Sequence, residues 1–179
     1  LQVKHNGKDY PYALFVPKSS GPDKKIPLLV VLHGLGGSGA NTIPAWIKRS
    51  SESFAVLCPT YPMGAWWMRS AEEMVLRLID QIREKYNIDS DRIFLAGLSN
   101  GAIGAYMIGM FYPDRFAGLI PIAGSITPRY MHFLVNLRNT PVYMIQGAHD
   151  PIFPIQLSRR IQKILSDMKY PVIYREHGE

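Results

Sequence analysis

Apolar positions along the chain fall into two rhythms, short continuous runs and stripes at helical spacing, and the two alternate. Leu28-Leu29-Val30-Val31-Leu32 is a continuous, β-branched run, which suits a strand buried on both faces of a parallel sheet. Residues 12–16 read as a strand ended by Pro17, and 55–58 as a strand ended by Pro59. Residues 71–86 predict a helix, because Met74, Val75, Leu78, Ile79 and Ile82 share one stripe. Strands follow at 92–96, 116–123, 142–146 and 172–175, and helices at 100–112 and 154–169. Strands alternating with helices predict βαβ units and a three-layer α/β/α fold with a mostly parallel central sheet. Ser19-Ser20-Gly21-Pro22-Asp23-Lys24-Lys25 is a polar turn, too short for an interdomain linker, and no repeat breaks the pattern.

Length and composition narrow the class. The 179 residues predict one domain over 1–179. Apolar residues make up 47% and charged residues 19%, the balance of a folded rather than a disordered chain. No apolar run approaches the roughly 18 residues of a membrane span. The net charge is +6, but its densest runs are only Lys24-Lys25 and Arg159-Arg160. A nucleic-acid binder would cluster that charge on one face, so no nucleic acid is expected. One cysteine, Cys58, excludes an internal disulfide and a paired-cysteine metal site. It fits a cytoplasmic or a bacterial secreted protein, with secretion the favoured location. The chain opens at Leu1 without a charged segment leading into an apolar one, so it is expected to be trimmed at its start. No metal-ligand cluster stands out, and no cofactor is expected.

In a sheet of this kind, chemistry sits in loops beyond the carboxyl ends of the strands. His33-Gly34-Leu35-Gly36-Gly37-Ser38-Gly39 follows the first buried run. Gly34, Gly36 and Gly39 match the dinucleotide fingerprint, but no acidic residue stands about 20 positions on to hold a ribose. A glycine-rich loop can instead aim backbone N–H groups at a developing oxyanion, and a plain tight turn is the third reading. The loop alone leaves all three open.

Gly97-Leu98-Ser99-Asn100-Gly101 is a G-x-S-x-G sequence between a predicted strand and a predicted helix. That context presents a serine at the apex of a sharp turn, where its neighbour's N–H and the helix N-terminus favour negative charge. The rival reading is a serine N-cap. A serine nucleophile needs a histidine base oriented by a carboxylate, in the chain order Ser, acid, His. Asp150 follows the 142–146 strand, and its rival reading is an ordinary Asp-Pro turn. Of the five histidines only His177 follows both Asp150 and the last strand. Either His177 is the base, or the base lies beyond Glu179.

Together these segments resemble the α/β-hydrolase superfamily, through His33-Gly34-Leu35-Gly36-Gly37, Gly97-Leu98-Ser99-Asn100-Gly101-Ala102 and Gly147-Ala148-His149-Asp150. The nearest likeness is to small carboxylesterases/phospholipases, feruloyl esterases and polyhydroxybutyrate-depolymerase-like enzymes. Tyr12-Ala13-Leu14-Phe15-Val16-Pro17 is similar to the superfamily's early strand. The resemblance implies Ser99 as nucleophile, Asp150 as acid, and the N–H groups of Leu35 and Asn100 as oxyanion donors. It also implies a base after a short glycine-containing loop, for which His177 lies a few residues early.

The expected activity is hydrolysis of a carboxylic ester, a short acyl or aryl ester, small or polymer-linked, through an acyl-enzyme. Trp46, Tyr61, Trp66, Trp67 and Met68 stand near the loops, with Trp66 and Trp67 the candidates for substrate contact and core packing the competing reading. A peptidase of the same fold is the alternative within enzymes. A hydrolase fold with a dead site, serving as a binding module, is the alternative outside them.

Overall fold

The computed structural model describes residues 1–18, 21, 24–50 and 53–178. Of the predicted polar turn, Ser19, Ser20, Pro22 and Asp23 lie outside the described residues, as does Glu179. The elements are β1 (Gln2–His5), β2 (Lys8–Phe15), β3 (Ile26–Leu32), α1 (Gly39–Ser50), β4 (Ala55–Pro59), α2 (Arg69–Lys85), β5 (Ile88–Leu98), α3 (Asn100–Phe111), β6 (Gly118–Ile122), β7 (Val142–Gly147), α4 (Ile155–Asp167) and β8 (Val172–His177). Tight 3₁₀ turns at Pro62–Gly64, Pro113–Arg115 and Pro128–Leu137 join them. The strands form one sheet in the order β1-β2-β4-β3-β5-β6-β7-β8. The β1–β2 and β2–β4 pairs are antiparallel and the rest are parallel.

Successive side chains of a strand point to opposite faces, and the central strands are apolar on both. Leu28, Val30 and Leu32 of β3, Ala55 and Leu57 of β4, and Ile93 and Leu95 of β5 join the core under α2 and α3. The alternate residues Leu29, Val31, Val56, Cys58 and Ala96 pack on the other face with Ile43 of α1. The expected three layers follow from this two-sided burial. Cys58 is fully buried, and burial pushes its thiol up to about 12. Farther along the α1 side, Tyr143 of β7 and Ile173 of β8 pair in register and stay exposed.

Three features depart from the predicted elements. The first strand belongs to a hairpin: β1 and β2 turn at Asn6-Gly7, with φ 48° and 75°, the left-handed pair that an Asn-Gly turn between twisted strands requires. α1 stands where no helix was predicted, with Pro44 inside it. β5 reaches back to Ile88, where Asp89 and Arg92 form an ion pair.

Candidate active site

The sharpest bend in the sheet lies between β5 and α3. Ser99 sits there at φ 56°, ψ −118°, a left-handed conformation that costs an L-residue roughly 1–3 kcal/mol and persists only where its surroundings impose it. They do so by close backbone approach. A Cβ on Gly97 would lie 2.0 Å from the Gly101 carbonyl oxygen, and one on Gly101 would lie 2.0 Å from that of Leu32. Glycine is therefore required at both positions flanking Ser99. The Ser99 N–H donates to the Ile122 carbonyl at 2.9 Å, fixing the turn to β6.

The loop after β3 folds against this turn. A Cβ on Gly34 would stand 3.4 Å from Ser99 Cβ. Among the described residues Leu35 enters no hydrogen bond, and Asn100 opens α3, where the first N–H groups lack intrahelical acceptors. The side-chain amide of Asn100 donates to the Met63 carbonyl at 3.3 Å. His33 is buried and holds the loop from beneath. Its Nε2 accepts the Tyr61 N–H at 3.2 Å, so the ring proton resides on Nδ1 and is donated to the Gly34 carbonyl at 2.7 Å. Burial holds this imidazole below its ordinary pKa, against a smaller opposing effect of the Gly34 bond. The indole N–H of Trp66 donates to the His33 carbonyl at 2.8 Å, and the two rings meet edge to face.

Asp150 follows β7. Its Oδ1 accepts the N–H groups of Ile152 and Phe153, both at 2.9 Å, and its Oδ2 accepts the Gln146 side-chain amide at 3.0 Å. Partial burial raises this carboxyl, but the three hydrogen bonds together outweigh it and leave the pKa below the usual carboxylate value. Gln146 is buried, and its Oε1 accepts the hydroxyl of buried Ser158 at 3.3 Å. Leu98, Ser99, Asp150, Ile152 and His177 line one open cleft of about 630 Å³. Of its lining, Leu98 and Ile152 are exposed apolar side chains, as are Leu35 and Met63 of the loops after β3 and β4.

The structure thus brings Ser99, Asp150 and the His33–Gly37 loop to one end of the sheet. His177 reaches the same cleft, but it closes β8, with its carbonyl accepting the Ala148 N–H at 2.7 Å. Among the described residues its ring has no hydrogen-bond partner. Trp67 is 43% exposed, whereas Trp66 is fully buried and belongs to the packing behind the loop rather than to a surface that a substrate could touch. The dinucleotide reading of the loop finds fewer free donors at the start of α1, where the Gly39 N–H goes to the Thr60 hydroxyl at 2.8 Å and the Asn41 N–H to the Ser38 hydroxyl at 3.2 Å. Sequence reasoning missed Gln146 and Ser158. The available sign was a polar residue closing an apolar strand and another on the apolar stripe of α4.

A family profile described as phospholipase/carboxylesterase matches residues 66–174. The chain is 29% identical over 166 residues to an acyl-protein thioesterase 1 of Schizosaccharomyces pombe, covering 76% of this chain and 74% of that protein. It is 27% identical over 152 residues to a bifunctional acetylxylan esterase/xylanase of Neocallimastix patriciarum, covering 80% of this chain but 22% of that protein. A thermostable esterase of known structure superimposes with a TM-score of 0.82 at 30% identity, covering 99% of this chain and 53% of that one. The chain therefore spans about half or less of some of the proteins it matches. A fluorophosphonate-binding serine hydrolase of Staphylococcus aureus shares the fold, with a TM-score of 0.84 at 16% identity. With the strand order, the turn at Ser99 and a profile match over more than half its length, the chain belongs to the phospholipase/carboxylesterase family of α/β-hydrolases.

Proposed function

We propose that this protein hydrolyses carboxylic esters through an acyl-enzyme on Ser99. One observation carries the reading: Ser99, held at a left-handed φ in the strand-to-helix turn, shares its cleft with a hydrogen-bonded Asp150. Ser99 Oγ attacks the ester carbonyl carbon and gives its proton to an imidazole. The resulting oxyanion takes the N–H groups of Leu35 and Asn100, one such donor being worth about 2.7–4 kcal/mol. The C–O bond to the alcohol breaks, and the imidazolium returns its proton to that leaving oxygen. Water then repeats the sequence on the acyl-enzyme. The relatives named for acetylxylan and acyl-protein substrates differ in the group carried and share acyl transfer to water. The exposed apolar rim of the cleft favours a short acyl or aryl ester.

Two sources of the imidazole follow from the sequence, His177 and a histidine beyond Glu179. The strand position of His177 favours the second. β8 lies three strand spacings from β5, roughly 14 Å, a span that a histidine on a loop beyond β8 would cross more readily than one held in the strand. Fluorophosphonate labelling read by peptide mass spectrometry tests the whole assignment. Label is expected on Ser99, and none on a Ser99→Ala variant, which also loses ester hydrolysis above a small residual. His177→Ala leaves labelling of the protein unchanged if the base lies beyond Glu179 and abolishes it if His177 is the base. A Ser99→Ala variant as active as its parent would overturn the mechanism.

A further inference from the structure

We infer that Gln146 is a positioning residue for the reaction, oriented by Ser158, and that it sets the direction from which the base meets Oδ2 of Asp150. The inference rests on the ester-hydrolase reading above. An amide at the end of a strand could present either its oxygen or its nitrogen to Asp150. Here the neighbours decide. The Ser158 hydroxyl donates to Gln146 Oε1 at 3.3 Å, and Nε2 has a second acceptor in the Phe153 carbonyl at 3.4 Å. Nε2 therefore faces Asp150 Oδ2 at 3.0 Å as a donor. Gln146 and Ser158 are each 1% exposed, so no water competes to turn the amide over.

The consequence lies in the acceptor positions of the carboxylate. Oδ1 takes two backbone N–H groups and is saturated. Among the described residues Oδ2 takes one bond, from Gln146, and keeps one acceptor position for an imidazole N–H. The base must dock on Oδ2, in the direction Gln146 leaves free. Without Gln146 the carboxylate keeps its backbone bonds but loses the donor that holds its plane. Misplacement by about 1 Å at such a site costs on the order of a hundredfold in rate.

Steady-state hydrolysis of a p-nitrophenyl ester over a pH series tests this on three variants. Gln146→Leu should lower kcat roughly tenfold to a hundredfold with KM within about twofold. Ser158→Ala, a milder change, should lower kcat several-fold in the same direction. Gln146→Glu carries the distinguishing readout. Protonated, its carboxyl donates an O–H to Asp150 Oδ2, and ionised it repels it. The ratio of its kcat to the parent's should therefore rise as pH falls from about 8 to about 5. A merely structural role would lower activity in step with the folded fraction, read from melting curves, and would leave that ratio flat; a flat ratio, or parent-like kcat in Gln146→Leu, overturns the inference. If Ser99→Ala stays active, the ester-hydrolase reading itself fails, and that outcome is separate from any result at Gln146.

Discussion

Both ring nitrogens of His33 are committed, Nδ1–H to the Gly34 carbonyl and Nε2 to the Tyr61 N–H. A ring bonded in this way holds backbone and has no lone pair left for proton transfer. Its presence before a glycine-rich loop was legible in the sequence, but its partners were not, because Tyr61 and Trp66 lie 28 and 33 residues away. The fold alone brings them together. Protonation would put a second N–H where Nε2 must accept, so acid should loosen the loop. The sign follows from the lowered pKa. Between the unfolded value of 6.5 and the lower folded one, the unfolded chain binds more protons. The contribution of His33 is therefore present in full above about pH 6.5 and is lost as pH falls through the folded value. Urea unfolding of the parent and of His33→Gln, whose amide oxygen can accept the Tyr61 N–H, should show a smaller loss of stability across that window in the variant. Equal losses in both would count against the bonding described for His33.

At the scale of elements, legibility followed the strength of the local signal. α2 was read to within two residues at its start because five apolar side chains on one stripe, all buried, leave little choice. Leu78→Ala on that stripe should cost about 2–5 kcal/mol, measurable by chemical denaturation, with the smaller figure expected only if the site collapses. α1 was missed because Pro44 lies inside it and only Gly39, Ile43 and Ser50 of it are buried. Its stability comes from the sheet face it covers rather than from its own pattern. The β1–β2 hairpin was missed for a different reason: its Asn-Gly turn is a strong local sign, yet β1 has only four residues. At the candidate site, the G-x-S-x-G turn and the Asp150 loop were visible as motifs tied to one backbone shape. Gln146 and Ser158 were not, since a buried polar residue announces its partner only in three dimensions.

For the molecule as a whole, the parallel order of β3 to β8 sets Ser99, Asp150, His177 and the His33–Gly37 loop at one end, so the sheet acts as the frame on which loops far apart in sequence converge. The two faces of that frame are unequal. One carries α2, α3 and the larger apolar cluster, and the other carries α1 while Tyr143 and Ile173 stay exposed. The smaller cluster contains Cys58, the one cysteine of the chain, at 0% exposure. Only a thiolate reacts with maleimides and disulfide reagents at speed, and this thiol is both shielded and held protonated at neutral pH. Trapping by such a reagent should therefore require the α1 face to open, at a rate that follows global or subglobal unfolding. A mass-spectrometric time course should show almost no adduct under native conditions and full adduct in denaturant, and ligands of the cleft should slow the native reaction. Cys58 thus serves as a built-in clock for how often the sheet parts from its helix, readable without placing any label in the protein beforehand.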